Sequence, residues 1–157
     1  MRIITSLLLD EVSAQAAAAP RRRKNHNLHP SDDFCCHRLL NAIEPGSYIQ
    51  PHRHLDPLKD ESMVVLRGLL GVVSFDGEGN VTGTRVLRPG GEAVAVDIPH
   101  GEFHTVLGLA AGTVFFEAKA GPYLPLTAAE KAPWAPAEGD EAAPAYLDSL
   151  AALFRSS

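Results

Sequence analysis

Cysteine is nearly absent from this chain. There are two, Cys35 and Cys36, and they are neighbours. A ring closed between adjacent residues departs from the geometry a disulfide prefers, so the pair reads as free thiols and a disulfide scaffold is excluded. Free thiols suit a reducing compartment, and the expected location is the cytoplasm. Aromatic residues are sparse at 6%, with a single tryptophan, Trp134. Long apolar runs are missing: none approaches the ~20 residues of a membrane-spanning helix. An excess of positive charge is missing too. Fourteen Lys and Arg stand against nineteen Asp and Glu, a net charge of −5, so the chain as a whole offers no basic surface to nucleic acid. A secretory signal is not expected, because Asp10 and Glu11 follow the apolar stretch Ile3 to Leu9 at once.

What the chain has in quantity is glycine (13) and proline (12). That favours short strands and turns over a helical bundle. Its 157 residues make one domain's worth, enough to bury a core, and 45% hydrophobic with 21% charged is ordinary for a soluble globular protein.

Residues 3–19 read as a helix stopped by Pro20, with Ile4, Leu7, Leu8 and Val12 on one stripe. RRRKNHNLHPSDD, residues 21–33, reads as an extended arm. Candidate strands follow at 34–43, 46–51, 62–67, 69–75, 81–88, 92–98, 103–109 and 112–119. Their spacing of about ten residues is that of an antiparallel sandwich or barrel. DGEGN at 76–80 reads as a hairpin turn. No long helical period interrupts this stretch, which excludes parallel βαβ topologies. Residues 120–145 are rich in proline, alanine and acid and read as a wrap anchored by Trp134. Residues 145–154 read as a short amphipathic helix with Leu147, Leu150, Ala151 and Phe154 on one face. The expected organisation is an N-terminal helix and arm (1–33), a β-barrel (34–119) and a C-terminal wrap with a short helix (120–157), forming one compact domain.

Three of the seven histidines are patterned. His52 and His54 are two apart, so on a strand they share a face. Glu61 opens the next strand after a six-residue spacer, and a hairpin brings it back toward them. His104 follows a Pro-x-Gly turn on a third strand. Asp56 and Asp60 are further carboxylates in the spacer, but Glu61 is favoured by its distance to Gly68. Three imidazoles and a carboxylate form a mixed nitrogen and oxygen set suited to a first-row divalent metal, with positions left open for water or substrate.

Gly46-x5-His52-x-His54-x6-Glu61-x6-Gly68 resembles the first motif of the cupin superfamily, and Pro99-x-Gly101-x-x-His104 resembles the core of the second. Ala93 stands where the second motif opens with glycine, and Gly108 where it closes with asparagine. RRRKNHNLHPSDD, RLLNAIEPGSYIQPHRH, MVVLRG, FEAKAGPY and APWAPAEGD resemble the WbuC-type cupin metalloproteins over nearly the whole chain. The resemblance implies an all-β fold, a double-stranded β-helix or jelly-roll cupin barrel, with short N- and C-terminal helical extensions. It implies His52, His54, Glu61 and His104 as ligands of a divalent transition metal (Fe, Mn, Zn or Ni). It implies a homodimer and a small-molecule ligand, while net charge and the length of the apolar runs point to neither nucleic acid nor membrane as partner.

Further residues carry two readings each. Arg21 to Lys24 either hold a phosphate or sugar nucleotide or are solvated. Asn27 and His29 either fold over the barrel near the metal or form a surface turn. Tyr48 and Gln50 share the parity of His52 and His54, so they are expected to point inward, toward a ligand or as core. Glu117 is either an outward residue of its strand or an interior functional group. One of Cys35 and Cys36 is expected to be buried by alternation. The functional expectation is a metal-dependent enzyme, isomerase- or epimerase-like or dioxygenase-like, acting on a sugar or sugar nucleotide of surface polysaccharide biosynthesis. The alternative is a non-catalytic sugar or organic-acid sensor with a structural metal.

Overall fold

A computed structural model describes residues 1–155. Ten elements follow one another: α1 (Ser6–Ala18), β1 (Arg23–Asn27), β2 (Cys36–Ile43), β3 (Glu61–Arg67), β4 (Leu70–Phe75), β5 (Val81–Leu87), β6 (Ala95–Ile98), β7 (Phe103–Gly108), β8 (Thr113–Ala120) and α2 (Ala143–Ala152). The strands form two antiparallel sheets. One has the order β1-β2-β8-β3-β6, the other β5-β4-β7. This is the antiparallel all-β architecture expected from the strand spacing and the two-sheet jelly roll that the motif resemblance implies, with a helical extension at each end.

Three apolar clusters hold it together. The first fills the space between the sheets, with Met63, Val65, Leu70, Val72, Val106 and Phe115 among its members. The second lies on the outer face of the three-stranded sheet, where Val73, Phe75, Phe103 and Leu107 meet Ala132, Trp134 and Leu150. The third places α1 on the outer face of the larger sheet, Val12 and Ala16 against Leu40, Ala42 and Val114. Sheets covered on both faces explain why β4 and β7 are buried almost throughout instead of alternating. Trp134 anchors the wrap as expected, its ring 4.9 Å from that of Phe75 and 5.9 Å from that of Phe103.

Several expectations are corrected. Within the extended segment 21–33, β1 adds to the edge of β2, with Arg23 opposite Ile43 and Asn27 opposite Leu39, a pairing the sequence reading did not include. Residues 46–51 are not a strand; they run between the barrel and the wrap, and only His52 makes a bridge. In α1 the buried stripe is Val12 and Ala16, with Leu8 and Leu9 beside them, while Leu7 is 67% exposed. The alanine-rich turns let the small face pack close to the sheet. Cys35 and Cys36 are both exposed, because the strand begins only at Cys36. Among the described residues no helix is long and apolar enough to cross a membrane.

The larger sheet positions the interior chemistry through its register. His37 of β2 lies opposite Lys119 of β8, and Lys119 lies opposite Glu61 of β3. One row on, Leu39 faces Glu117, and Glu117 faces Met63. The next row is Asn41, Phe115 and Val65. Residues two apart share a face, so the inner surface runs from a charged row to an apolar one along the strands.

Candidate metal centre

His52 and His104 form an antiparallel backbone pair. The His52 N–H donates to the His104 carbonyl at 3.0 Å and the His104 N–H to the His52 carbonyl at 2.9 Å. That pairing brings their ring centroids to 4.8 Å. His54 is held by the turn beneath it: the Gly101 N–H donates to the His54 carbonyl at 2.7 Å. Gly101 has φ +84°, a conformation that L side chains rarely adopt, so the Pro-x-Gly segment sets where His104 re-enters the sheet. At the far end of that strand, a Cβ on Gly108 would lie 2.6 Å from the Ile43 carbonyl oxygen. Close backbone approach therefore accounts for glycine in place of the motif's closing asparagine.

The four motif residues converge. Side-chain nitrogen and oxygen atoms of His52, His54 and Glu61 lie within 4.8 Å of one another. His104 Nε2 is 3.0 Å from Glu61 Oε2, and His54 Nε2 is 3.6 Å from the same oxygen. The spacer carboxylates are engaged elsewhere. Asp60 accepts from the His100 backbone N–H at 2.8 Å and pairs with its ring, and Asp56 accepts from the Leu58 N–H at 3.0 Å.

The tautomers follow from the backbone. The His52 Nδ1–H donates to the Gln50 carbonyl at 3.1 Å, and the His104 Nδ1–H to the Glu102 carbonyl at 2.9 Å. A carbonyl only accepts, so Nδ1 carries a proton in both rings; the His52 Nε2 lone pair faces inward, and His104 Nε2 faces Glu61 Oε2, to which it donates when the ring is charged. A backbone carbonyl on the far nitrogen is the usual way to orient a metal-ligating imidazole. His54 Nε2 is buried with no hydrogen-bond partner. These residues fit a divalent transition metal: three imidazoles, two of them oriented by backbone carbonyls, one buried carboxylate, and a buried His54 Nε2 that has no hydrogen-bond partner.

Electrostatics set the histidines apart in the metal-free protein. Removal from water, reinforced by His104, pushes the His52 imidazole down to about 3, so its ring is neutral. Burial would raise Glu61, but the Lys119 ammonium and the flanking histidines hold it well below the usual carboxylate range. Burial would lower His104, but the Glu61 carboxylate overrides it and leaves it above its ordinary value.

The centre opens into a cavity of about 560 Å³ bounded by the larger sheet, β1 and the loop that follows it. Glu117 is an interior group. Its Oε1 lies 2.7 Å from Lys119 Nζ and makes no hydrogen bond, while Asn41 Nδ2 donates to its Oε2. Burial, and then the charge of Glu61, pushes Glu117 up to about 8. Lys119 Nζ donates to Glu61 Oε1 at 2.8 Å, completing a Glu61–Lys119–Glu117 bridge. Asn27 and His29 line the same cavity, as do Arg21, Arg23 and Lys24. Arg21 and Arg23 both pair with Glu138 of the wrap, at 2.8 and 2.6 Å.

Tyr48 and Gln50 are not where strand parity put them. The Tyr48 hydroxyl donates to the Pro136 carbonyl at 2.7 Å. Gln50 Nε2 donates to the Ala132 and Ala135 carbonyls at 3.2 and 3.3 Å. Neither lines the cavity; without a strand there is no alternation to turn them inward, and both fasten the wrap. Sequence reasoning missed His37, Asn41 and Lys119, which do line it. Lys119 had a readable signal, since it stands two residues from Glu117 in one strand and must share its face.

The family model described as "Domain of unknown function (DUF6016)" matches residues 4–87. No curated protein matches the chain by sequence. Solved structures similar to it include the TT1209 protein from Thermus thermophilus (TM-score 0.54, 21% identity, covering 76% of this chain and 97% of that one). KdgF from Halomonas sp. is similar at TM-score 0.52 and 19% identity, over 68% of this chain and 85% of that one. A cupin superfamily protein from Desulfitobacterium hafniense is similar at TM-score 0.51 and 14% identity, over 69% of this chain and 86% of that one. These likenesses establish the cupin fold.

Proposed function

We propose that this chain, which belongs to the family described as Domain of unknown function (DUF6016), is a metal-dependent enzyme acting on a small polar substrate. The observation that carries the reading is the convergence of His52, His54, Glu61 and His104, with His54 Nε2 buried and unpartnered and two Nε2 atoms aimed by backbone carbonyls. These four residues would hold a first-row divalent metal, which when bound supplies a Lewis acid for a carbonyl or ene-diol oxygen.

The rest of the chemistry belongs to the chain. Glu117 holds or moves a proton at Oε1, the carboxylate oxygen that makes no hydrogen bond. Asn41 fixes its other oxygen, and Lys119 balances its charge. Lys119 also occupies Glu61 Oε1, leaving Oε2 toward the histidines. The apolar rows of Phe115, Val65 and Val106 keep bulk water from the inner end of the cavity. The reaction class that suits a buried proton carrier beside a Lewis acid is isomerisation or epimerisation next to a carbonyl. The resemblance to WbuC-type cupins supports a sugar or sugar nucleotide of surface polysaccharide synthesis as substrate, and a homodimeric assembly.

Elemental analysis of untagged protein tests the reading. About one iron, manganese, zinc or nickel per chain is expected. It should be lost in His52→Ala/His104→Ala while the far-ultraviolet circular dichroism of the β fold remains. Exchange of carbon-bound hydrogen on candidate sugars in deuterated water, dependent on metal and on Glu117, would follow. Metal-free protein after reconstitution with each of the four ions would sink the proposal.

A further inference from the structure

Six buried side-chain polar atoms have no hydrogen-bond partner among the described residues, and two of them, His29 Nε2 and Glu117 Oε1, belong to residues lining the cavity away from the four motif residues. Buried polar atoms are ordinarily satisfied, so each such atom calls for a partner. The two differ in what they need. Glu117 Oε1 meets the Lys119 ammonium at 2.7 Å in a poorly directed contact, and its remaining lone pair takes a donor. His29 is ambivalent. Its Nδ1 lies 3.2 Å from the Arg38 N–H and 3.0 Å from the Arg38 carbonyl. In one tautomer Nε2 is a donor, in the other an acceptor, and in both it is left unpaired. A hydroxyl group satisfies either, since it donates and accepts.

The imidazole is also held rigidly. His29 stacks on His37 with centroids 4.0 Å apart and planes 9° from parallel. The His37 Nε2–H donates to the Asp32 carbonyl at 3.0 Å, which fixes that second ring. A Cβ on Gly121 would fall 2.7 Å from His37 and collide with the Phe34 carbonyl, so the chain leaves no slack behind the stack. Charge supplies the remaining constraint. Arg21, Arg23, Lys24 and Lys119 line the cavity with the carboxylates of Asp32, Glu61 and Glu117, and Glu138 pairs with both Arg21 and Arg23, so the protein charges balance and the charge of a bound divalent metal is left for an anion to meet.

We infer that His29 and Glu117 form a second, hydroxyl-binding pole of the cavity, and that the ligand is a small anion carrying several hydroxyl groups, a hydroxylated carboxylate, held between this pole and the metal centre. The inference rests on the reading of the four motif residues as the metal site, but the pole itself is built from residues outside that set. His37 is a positioning residue for His29, and Lys119 for both carboxylates.

The probes are gluconate and glucuronate, which carry both features, hexanoate, which carries the carboxylate alone, and sorbitol, which carries the hydroxyls alone. Binding is read by titration calorimetry on manganese-loaded protein and again after metal removal, with metal content assayed on each sample. Gluconate or glucuronate should bind the loaded protein at least tenfold more tightly than hexanoate and than sorbitol. His29→Phe keeps a ring on His37 and removes Nε2, and Glu117→Gln keeps the shape and replaces the carboxyl with an amide. Each should weaken hydroxy-acid binding about tenfold or more, the range for a lost hydrogen bond to a charged or buried partner, with hexanoate affinity and metal content unchanged. Hexanoate binding as tightly as gluconate and glucuronate, no binding of either hydroxy acid, or unaltered affinity in both variants would overturn the second pole. Failure of the metal reading gives a separate result: no metal in any sample, with the variants still lowering hydroxy-acid affinity.

Discussion

Removing the Lys119 ammonium tests the electrostatics of the barrel interior. Its Nζ lies 2.8 Å from Glu61 Oε1 and 2.7 Å from Glu117 Oε1, and those carboxylate side chains are 3% and 8% exposed. Lys119→Met keeps most of the stem and deletes the charge, so two buried carboxylates are left without their shared counterion. Breaking a buried ion set in this way costs about 3–5 kcal/mol. The loss has a pH signature. Burial already pushes Glu117 up to about 8 with Lys119 in place, and a carboxylate in the unfolded chain titrates near ~4. Between those values the folded state binds a proton that the unfolded state does not. Stability from that protonation is therefore full below the unfolded value and is lost as the pH rises through the folded one. Deleting Lys119 moves the folded value higher still. Urea unfolding in EDTA, followed through the single tryptophan, should show the full loss at pH 9 and a clearly smaller one at pH 5.5. Adding Glu117→Gln to Lys119→Met removes the second charge and should recover more than about 1 kcal/mol at pH 9. A loss independent of pH, or a double variant no more stable than the single one, would refute the reasoning.

His54→Ala removes a proposed ligand with an unpartnered buried nitrogen. Metal affinity, read by competition with a chromogenic chelator, should fall by more than the ~10–100-fold that follows loss of a group merely orienting a ligand. In metal-free protein His52 is held down to about 3, so its contribution to stability is complete above the unfolded value near ~6.5 and drains away as the pH falls toward 3. His104, raised by Glu61, contributes in the opposite sense, fully below ~6.5 and less as the pH climbs through its folded value. Thermal melts in EDTA for His52→Phe and His104→Phe should separate the two slopes. Tyr48→Phe loses the hydrogen bond to the Pro136 carbonyl and should cost ~0.5–1.5 kcal/mol of stability with ligand affinity unchanged. Trp134→Ala should cost about 3 kcal/mol by opening the cluster with Phe75 and Phe103, seen in urea unfolding followed by circular dichroism.

Much of the barrel was legible because its signals are local. Turn residues punctuate the strands, apolar runs mark those covered on both faces, and the Pro-x-Gly turn before His104 is a backbone requirement visible in three residues. His52, His54 and Glu61 could likewise be read as one chemical set, because their spacing is short and their residue types are few, whereas His104, 43 residues beyond Glu61, joined them only through its own Pro-x-Gly motif. Where reasoning by alternation had no strand beneath it, it failed: Tyr48 and Gln50 turn to the wrap, and Cys35 and Cys36 both face solvent. The polar row of His37, Lys119 and Glu61 is a different case. Its members come from three strands distant in sequence, and only the register of β2 on β8 and β8 on β3 sets them side by side. The stack of His29 on His37 belongs with it, since a loop and a strand edge had to meet before either ring acquired a neighbour. Local sequence thus determined the barrel's punctuation and the residue types of the four-residue cluster. Long-range pairing alone decided which further side chains share the cavity, because a strand's inward face is defined only by the partners that cover it.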